Sequence, residues 1–352
     1  MNDISTIVLA PPKDSGGIGQ YAEQLRTKLG HEIDTEHLPL YEVMNATDYV
    51  KTAVRAADSD IIHLHFEYGL FRPKLLYAVV FFPVLLFITR LRDVPVIVTL
   101  HEVWTIDTVG RVQYIYVWFI HLLLSMTASR LVFMTESSED DFLPRGISKG
   151  QIIPHGVDTD AVRNINLTDA RSELDLKSDD TIISQIGYVS RRKGTDDFLE
   201  LADCHPEYEF VVAGGPLREE DEDYYQQVIE FAPENTRVTG VLSENEFHAA
   251  FVATDVAILA YRDIRQSGIL NWCFAYGVPV VCRAIDRFTN LSEQGAPLVL
   301  FGEDDEYPSV DVALDTALAD AEERSMAMRK FGTEHDLSHV AEQYINLYQT
   351  LI

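Results

Sequence analysis

Cysteine is scarce. The 352-residue chain has three, Cys204, Cys273 and Cys282, widely spaced and with no C-x-x-C pair. An odd, scattered set excludes a disulfide framework and a cysteine-based zinc site. Lysine is nearly as rare, with 8 among 28 basic residues, against 56 acidic ones. A net charge of −28 with a pI near 4.6 excludes a nucleic-acid partner, because phosphate affinity comes from clustered Lys and Arg. No G-x-x-x-x-G-K-[ST] occurs, which removes the P-loop NTPases, and no H-E-x-x-H or other ligand spacing marks a metal site. Met1–Pro11 lacks the basic start and apolar core of a signal peptide, so a cytoplasmic location is expected. With 14 Pro, 19 Gly and 47% hydrophobic residues, disorder and fibrous repeats are also out. Acid excess with little lysine matches the proteins of salt-accumulating cells, in which a hydrated acidic surface stays soluble and salt screens its self-repulsion.

What is present is an alternation of short β-branched runs and helical stretches. The first series of strands is expected at Thr6–Ala10, Ile61–His65, Val96–Leu100 and Leu131–Met134. After a turn near Pro154–Asp160 the rhythm restarts with Thr181–Ile186, Glu209–Ala213, Val256–Ala260 and Val278–Cys282. Continuous apolar strands separated by helices imply parallel sheets covered on both faces. The expected fold is α/β, with two Rossmann-like parallel-sheet domains facing a deep cleft. The boundaries are placed at 1–163 and 164–336, with the polar stretch Asn164–Asp180 as linker. A C-terminal helix within 337–352, apolar at Val340, Tyr344, Leu347 and Leu351, is expected to pack back on the first domain.

Residues 71–134 break the charge pattern. They hold Arg72, Lys74, Arg90, Arg92, Arg111 and Arg130 against Asp93, Glu102 and Asp107, a net +3 in a chain whose remainder carries −31. The same region contains the apolar stretches Leu75–Ile88 and Tyr114–Met126. Both are shorter than the roughly 20 residues of a membrane span. Two buried helices are one reading; the favoured one is a surface that rests on an anionic membrane.

Five segments end strands where ligands bind in such folds. Asp14–Tyr21 (DSGGIGQY) puts Gly16 and Gly17 before a helix, where backbone N–H groups can approach a phosphate. His63-Leu-His65-Phe-Glu67 and Thr99-Leu-His101-Glu102 close two further strands, with His101 the stronger functional candidate. Gly187–Gly194 (GYVSRRKG) gathers Arg191, Arg192 and Lys193 in a chain short of cations, which suits a diphosphate. Gln266, Ser267 and Gly268 begin a helix whose free N–H groups can hold the other side of that anion.

Taken in order, SGGIGQYAEQL, DIIHLHFEYG, TLHE, IPHGVD, GYVSRRKGTDDFLELA, VVAGGP and QSGILNWCFAYGVPVV resemble glycosyltransferase family 4 over nearly the whole chain. The resemblance implies the GT-B fold, an acceptor-binding first domain and a nucleotide-sugar-binding second domain. It implies that Gly16 and Gly17 lie near the donor phosphates or sugar, and that His101 contacts the transferred sugar. It places Lys193, with a neighbouring Arg, on the leaving diphosphate, and gives Ser267, Gly268 and Ile269 as backbone donors to it. The donor would be a UDP- or GDP-sugar, with no tightly bound cofactor and no metal requirement. The sequence departs from the family at two points. Ile264 and Trp272 occupy the places of its Glu pair, and Tyr188 follows the strand glycine where an Arg is usual.

The resemblance therefore implies a retaining glycosyltransferase. Breaking the anomeric bond puts negative charge on the diphosphate, which fixed cations and helix-end amides stabilise. The departing phosphate can take the acceptor's proton, so no carboxylate pair is needed. With the membrane surface, the acceptor is expected to be lipid-linked or a cell-surface glycan, at the cytoplasmic face of the membrane. The alternatives are a non-catalytic nucleotide-sugar-binding or scaffold protein and a sugar-nucleotide epimerase of the same fold.

Overall fold

The computed structural model describes residues 4–41, 44–71, 75–144, 149–217, 219–264, 267–303 and 305–352. Arg72, Lys74 and Gln266, which the sequence singles out, lie outside them. The chain divides into two compact units, Met1–Gly156 with Leu337–Ile352, and Val157–Asp336.

The first unit is built on β1 (Ser5–Ala10), β2 (Asp34–Pro39), β3 (Ile61–Phe66), β4 (Val96–Leu100), β5 (Arg130–Phe133) and β6 (Lys149–Ile152). All neighbours pair in parallel, in the order β2-β1-β3-β4-β5-β6. Strand periodicity sends alternate residues to opposite faces. Ile62, Leu64 and Phe66 join a core with the helices Ala46–Ala56, Ala78–Arg92 and Arg111–Thr127. Ile61, Ile97 and Val132 point the other way, against the helices Gly17–Leu29 and Leu337–Gln349. The C-terminal helix thus completes the first sheet, and Tyr344 and Tyr348 are fully buried there.

The second unit repeats the plan with β7 (Ile182–Ile186), β8 (Glu209–Ala213), β9 (Thr236–Val238), β10 (Val256–Leu259), β11 (Val280–Arg283) and β12 (Val299–Phe301), all parallel, ordered β12-β11-β10-β7-β8-β9. The order of strands reverses between β7 and β10, and in the first unit between β1 and β3. Connections leave such a point toward opposite faces, which opens a crevice at the carboxyl ends of the strands.

Two boundary expectations are corrected. The second unit begins at Val157, not after residue 163. Val157 donates its N–H to His335, Thr159 bonds the Asp336 carboxylate, and Val157, Ala161 and Val162 pack on the second core. The stretch Asn164–Asp180 is not a linker. It contains the helix Leu167–Glu173, capped by Asn166, with Ala170 and Arg171 buried and Arg171 paired to Asp255. Its polar composition hid a short helix with one narrow buried face.

Candidate functional site

In the second unit, the loop after β7 and the helix after β10 meet at the reversal point. Gly187 has φ 97°, a left-handed conformation that favours glycine. A Cβ there would lie 2.9 Å from Ile269 Cδ1 and 3.0 Å from Lys193 Nζ. The missing side chain lets the ammonium and the start of the helix Gly268–Tyr276 come together. Ser267 caps that helix by accepting from the Leu270 N–H at 3.1 Å, and no atom of the described residues lies within 4 Å of a Cβ built on Gly268.

Lys193 keeps part of its surface exposed, and its ammonium stands 5.6 Å from the centre of the buried Tyr261 ring. The protein packed round it, and Arg192 beside it, draw its pKa down to about 7. Two acids follow it in sequence, yet both are held elsewhere. Arg262 bonds Asp196 at 2.8 Å and Asp197 at 2.6 Å, and Arg283 also grips Asp197. Among the described residues, none forms a salt bridge with Lys193. An ammonium with no carboxylate partner among the described residues can pair with an external anion.

The two arginines of this loop separate. Arg191 stacks on Tyr224, 4.6 Å from the ring centre, and donates to Gln227 at 3.0 Å. Arg192 is exposed, and its charge reaches Lys193. Among the described residues the Arg192 side chain has no ion-pair partner, while Arg191 is engaged with the neighbouring helix.

In the first unit, Gly16 caps the helix Gly17–Leu29 with φ 112°, and no atom of the described residues lies within 4 Å of a Cβ built on Gly16 or Gly17. Gly19 differs: its Cβ would fall 2.1 Å from the Pro12 carbonyl oxygen, so it is needed for packing the helix on its own loop. His101 follows β4 and is 7% exposed. Its Nε2 is 3.1 Å from Nδ1 of the buried His65 on β3, and Tyr21 packs edge-on against both rings. The Tyr21 ring also lies 3.9 Å from that of His155. Burial, then the neighbouring imidazoles, hold both His65 and His101 well below the usual histidine range, so both are neutral at pH 7.

His63 has another role. Its Nδ1 is 2.7 Å from the Tyr348 hydroxyl and its Nε2 is 2.8 Å from Thr99 Oγ1, which is 2.8 Å from the Tyr344 hydroxyl. This chain of contacts fastens the C-terminal helix to β3 and β4. Ile264 and Trp272, where the family carries its Glu pair, are both buried in the second core. Among the described residues, no group of three or more His, Cys, Asp or Glu is placed to hold a metal ion.

The structure brings together Lys193, Ser267, Gly268 and Ile269, with Arg192, at the end of one sheet. It leaves Gly16, Gly17 and His101 at the end of the other. Tyr21 and Tyr261 were not singled out from sequence. Tyr21 shares a helix face with the buried Leu25 and Leu29, and Tyr261 continues the apolar strand β10, so each reads as core.

No known family profile matches the chain. It is 23% identical over 184 residues to the alpha-galactosylglucosyldiacylglycerol synthase of Streptococcus pneumoniae, covering 51% of this chain and 48% of that one. It is 24% identical over 135 residues to the processive diacylglycerol alpha-glucosyltransferase of Acholeplasma laidlawii, covering 38% and 41%. The chain thus spans about half the length of these curated relatives or less. Among solved structures, Anabaena HepE in complex with UDP and glucose superposes with a TM-score of 0.75 at 14% identity, over 99% of this chain and 100% of that one. Sucrose-phosphate synthase from Thermosynechococcus elongatus gives 0.72 at 17% identity, over 99% of each chain. At these identities the likeness establishes the architecture, which is the two-domain GT-B fold.

Proposed function

We propose that the chain is a retaining glycosyltransferase that moves a hexose from a UDP-sugar to a lipid-linked acceptor at the cytoplasmic face of the membrane. The observation that carries this reading is the placement of Lys193 in the second unit. Lys193 there has no acid partner among the described residues, and it lies beside Arg192 and a serine-capped helix start, at the strand-order reversal. A nucleotide-sugar's diphosphate fits such a site, and the charge gained on bond breaking strengthens each contact. The donor choice draws on HepE, solved with UDP and with UDP-glucose. His101 would then contact the transferred sugar, with Gly16 and Gly17 giving room for it. Since fixed cations and amides meet the leaving group's charge, transfer is expected to survive chelation of divalent metals.

The acceptor rests on the first unit's surface and on the names of the curated relatives, both of which concern diacylglycerol lipids. The helix Arg111–Thr127 buries Val117, Ile120 and Leu124 but exposes Val112 (85%), Ile115 (72%), Trp118, Phe119 and Met126. The helix Ala78–Arg92 exposes Phe87 (70%) and Leu91 (74%), and its Arg90 reaches the Met126 carbonyl of the other helix. Exposed apolar stripes beside Arg90 and Arg111 suit an interfacial membrane contact. No described helix is long and apolar enough to cross a membrane.

A second reading, nucleotide-sugar binding without turnover, draws on the burial of Ile264 and Trp272 in place of carboxylates. Thermal unfolding in concentrated KCl with UDP, GDP, ADP, CMP and NAD, followed by transfer assays from the stabilising donor to diacylglycerol lipids, decides between them. A ligand at about 100 times its Kd adds about 2.7 kcal/mol to the folded state. UDP stabilisation with turnover supports transfer, and UDP stabilisation without turnover supports the binding protein. Stabilisation by NAD alone overturns both.

A further inference from the structure

We infer that His65 is a positioning residue that fixes the proton of His101 on Nδ1, making His101 a hydrogen-bond donor to its ligand. This builds on the reading of His101 as a sugar-contacting group. His65 Nδ1 and His101 Nε2 are 3.1 Å apart, and neutral imidazoles place a single proton between them. Two arrangements satisfy that contact. If His101 donates from Nε2, the His65 proton must sit on its own Nε2. If His65 donates from Nδ1, its Nε2 is a bare lone pair.

The environment of His65 Nε2 chooses between them. That atom is fully buried, and no described residue bonds to it. A buried N–H without an acceptor is rarer and costlier than a buried acceptor without a donor. His65 is therefore the donor. The ring is packed between His63 at 4.4 Å and His101 at 5.3 Å, with Tyr21 against its edge. His63 is itself pinned by Tyr348 and Thr99. The hydrogen bond made by one ring nitrogen sets the state of the other. With Nε2 of His101 accepting, its Nδ1 carries the hydrogen. No described residue accepts from that Nδ1, so it is available to a hydroxyl or phosphate oxygen and cannot serve as a base.

Two-bond 15N–1H correlation spectra of the full chain, 15N-labelled at histidine and without ligand, read the tautomer directly. A His101→Gln spectrum assigns the signals. Protonated Nδ1 with unprotonated Nε2 on His101 is the expected result; the reverse overturns the inference. This readout does not depend on what the protein transfers, so its failure is distinct from failure of the transferase reading. In turnover, His65→Asn keeps an amide N–H at the place of Nδ1 and should stay within about threefold of wild-type kcat. His65→Leu keeps bulk without a donor and should lower kcat about ten- to a hundredfold with little change in donor KM, the scale at which second-layer hydrogen bonds act. Equal losses in both variants, at matched thermal stability, would reduce His65 to packing and overturn the inference.

Discussion

An ammonium with a pKa of about 7 changes charge inside the range where enzymes are assayed, so the proposed donor site at Lys193 should be sensitive to pH. Under the proposed reading, its protonated form is the one that would bind the diphosphate. Donor kcat/KM should therefore fall above pH 7, by about tenfold per pH unit, since this profile reports the free protein's groups. Lys193→Ala should lower kcat by about 10²- to 10³-fold, as loss of one charge-stabilising group does elsewhere, and should flatten that limb. The stability effect has the opposite direction. The folded pKa is depressed below the unfolded value near 10.5, so between about 7 and 10.5 the unfolded chain binds the extra proton. Stability should rise with pH across that window in wild type relative to Lys193→Ala, measured by urea unfolding. A flat wild-type kcat/KM profile together with near-normal transfer by the alanine variant would remove Lys193 from the site. Gly187→Ala tests the same place from the backbone. The substitution would be strained at φ 97° and would push on both Ile269 and Lys193, so it should cost about 1–2 kcal/mol and weaken UDP binding.

At the scale of elements, the C-terminal helix is fastened to the first sheet by polar contacts. Tyr348→Phe strands His63 Nδ1, and Tyr344→Phe removes one partner of Thr99. Each should cost about 1–3 kcal/mol, and because they share His63 and Thr99 the double variant should deviate from additivity. Urea titrations of the three variants check this. The sequence showed the inner strands and missed the outer ones, for a physical reason. The unlisted strands β2, β6, β9 and β12 are the four edges of the two sheets. An edge strand has one neighbour and needs no continuous apolar run, and Asp34–Pro39 (DTEHLP) and Thr236–Val238 (TRV) are only half-buried or less. The glycine loops, the cation cluster and the capped helix were legible because their chemistry is local. The roles of Arg191 and Arg192 were not, since adjacent residues in a tight turn point to different neighbours. Nor were the partners of His63, His65 and Tyr21, which come from strands and helices far apart in sequence.

At the scale of the whole molecule, the charge distribution bears on the proposed contact of the first unit with a membrane. The −28 net charge repels an anionic surface, and residues 71–134 interrupt it with a local +3. Two attractions are then available and respond differently to salt. A basic residue near an anionic bilayer contributes about 1 kcal/mol, and this is lost as the screening length falls from about 10 Å at 0.1 M salt to about 3 Å at 1 M. Burial of an apolar side chain contributes about 1.5–3 kcal/mol and is not screened. In dilute salt, Arg90→Gln with Arg111→Gln and Ile115→Ser with Phe87→Ser should both weaken sedimentation with phosphatidylglycerol vesicles. In molar KCl the arginine pair should lose its effect, while the apolar pair should still release the protein. None of these four residues is placed at the donor site, so stabilisation by UDP should be unchanged in every variant. Binding abolished by salt and indifferent to the apolar pair would assign attachment to the arginines alone. Absence of binding at both salt levels, with the protein folded by circular dichroism, would remove the membrane surface and leave the exposed stripes to another partner.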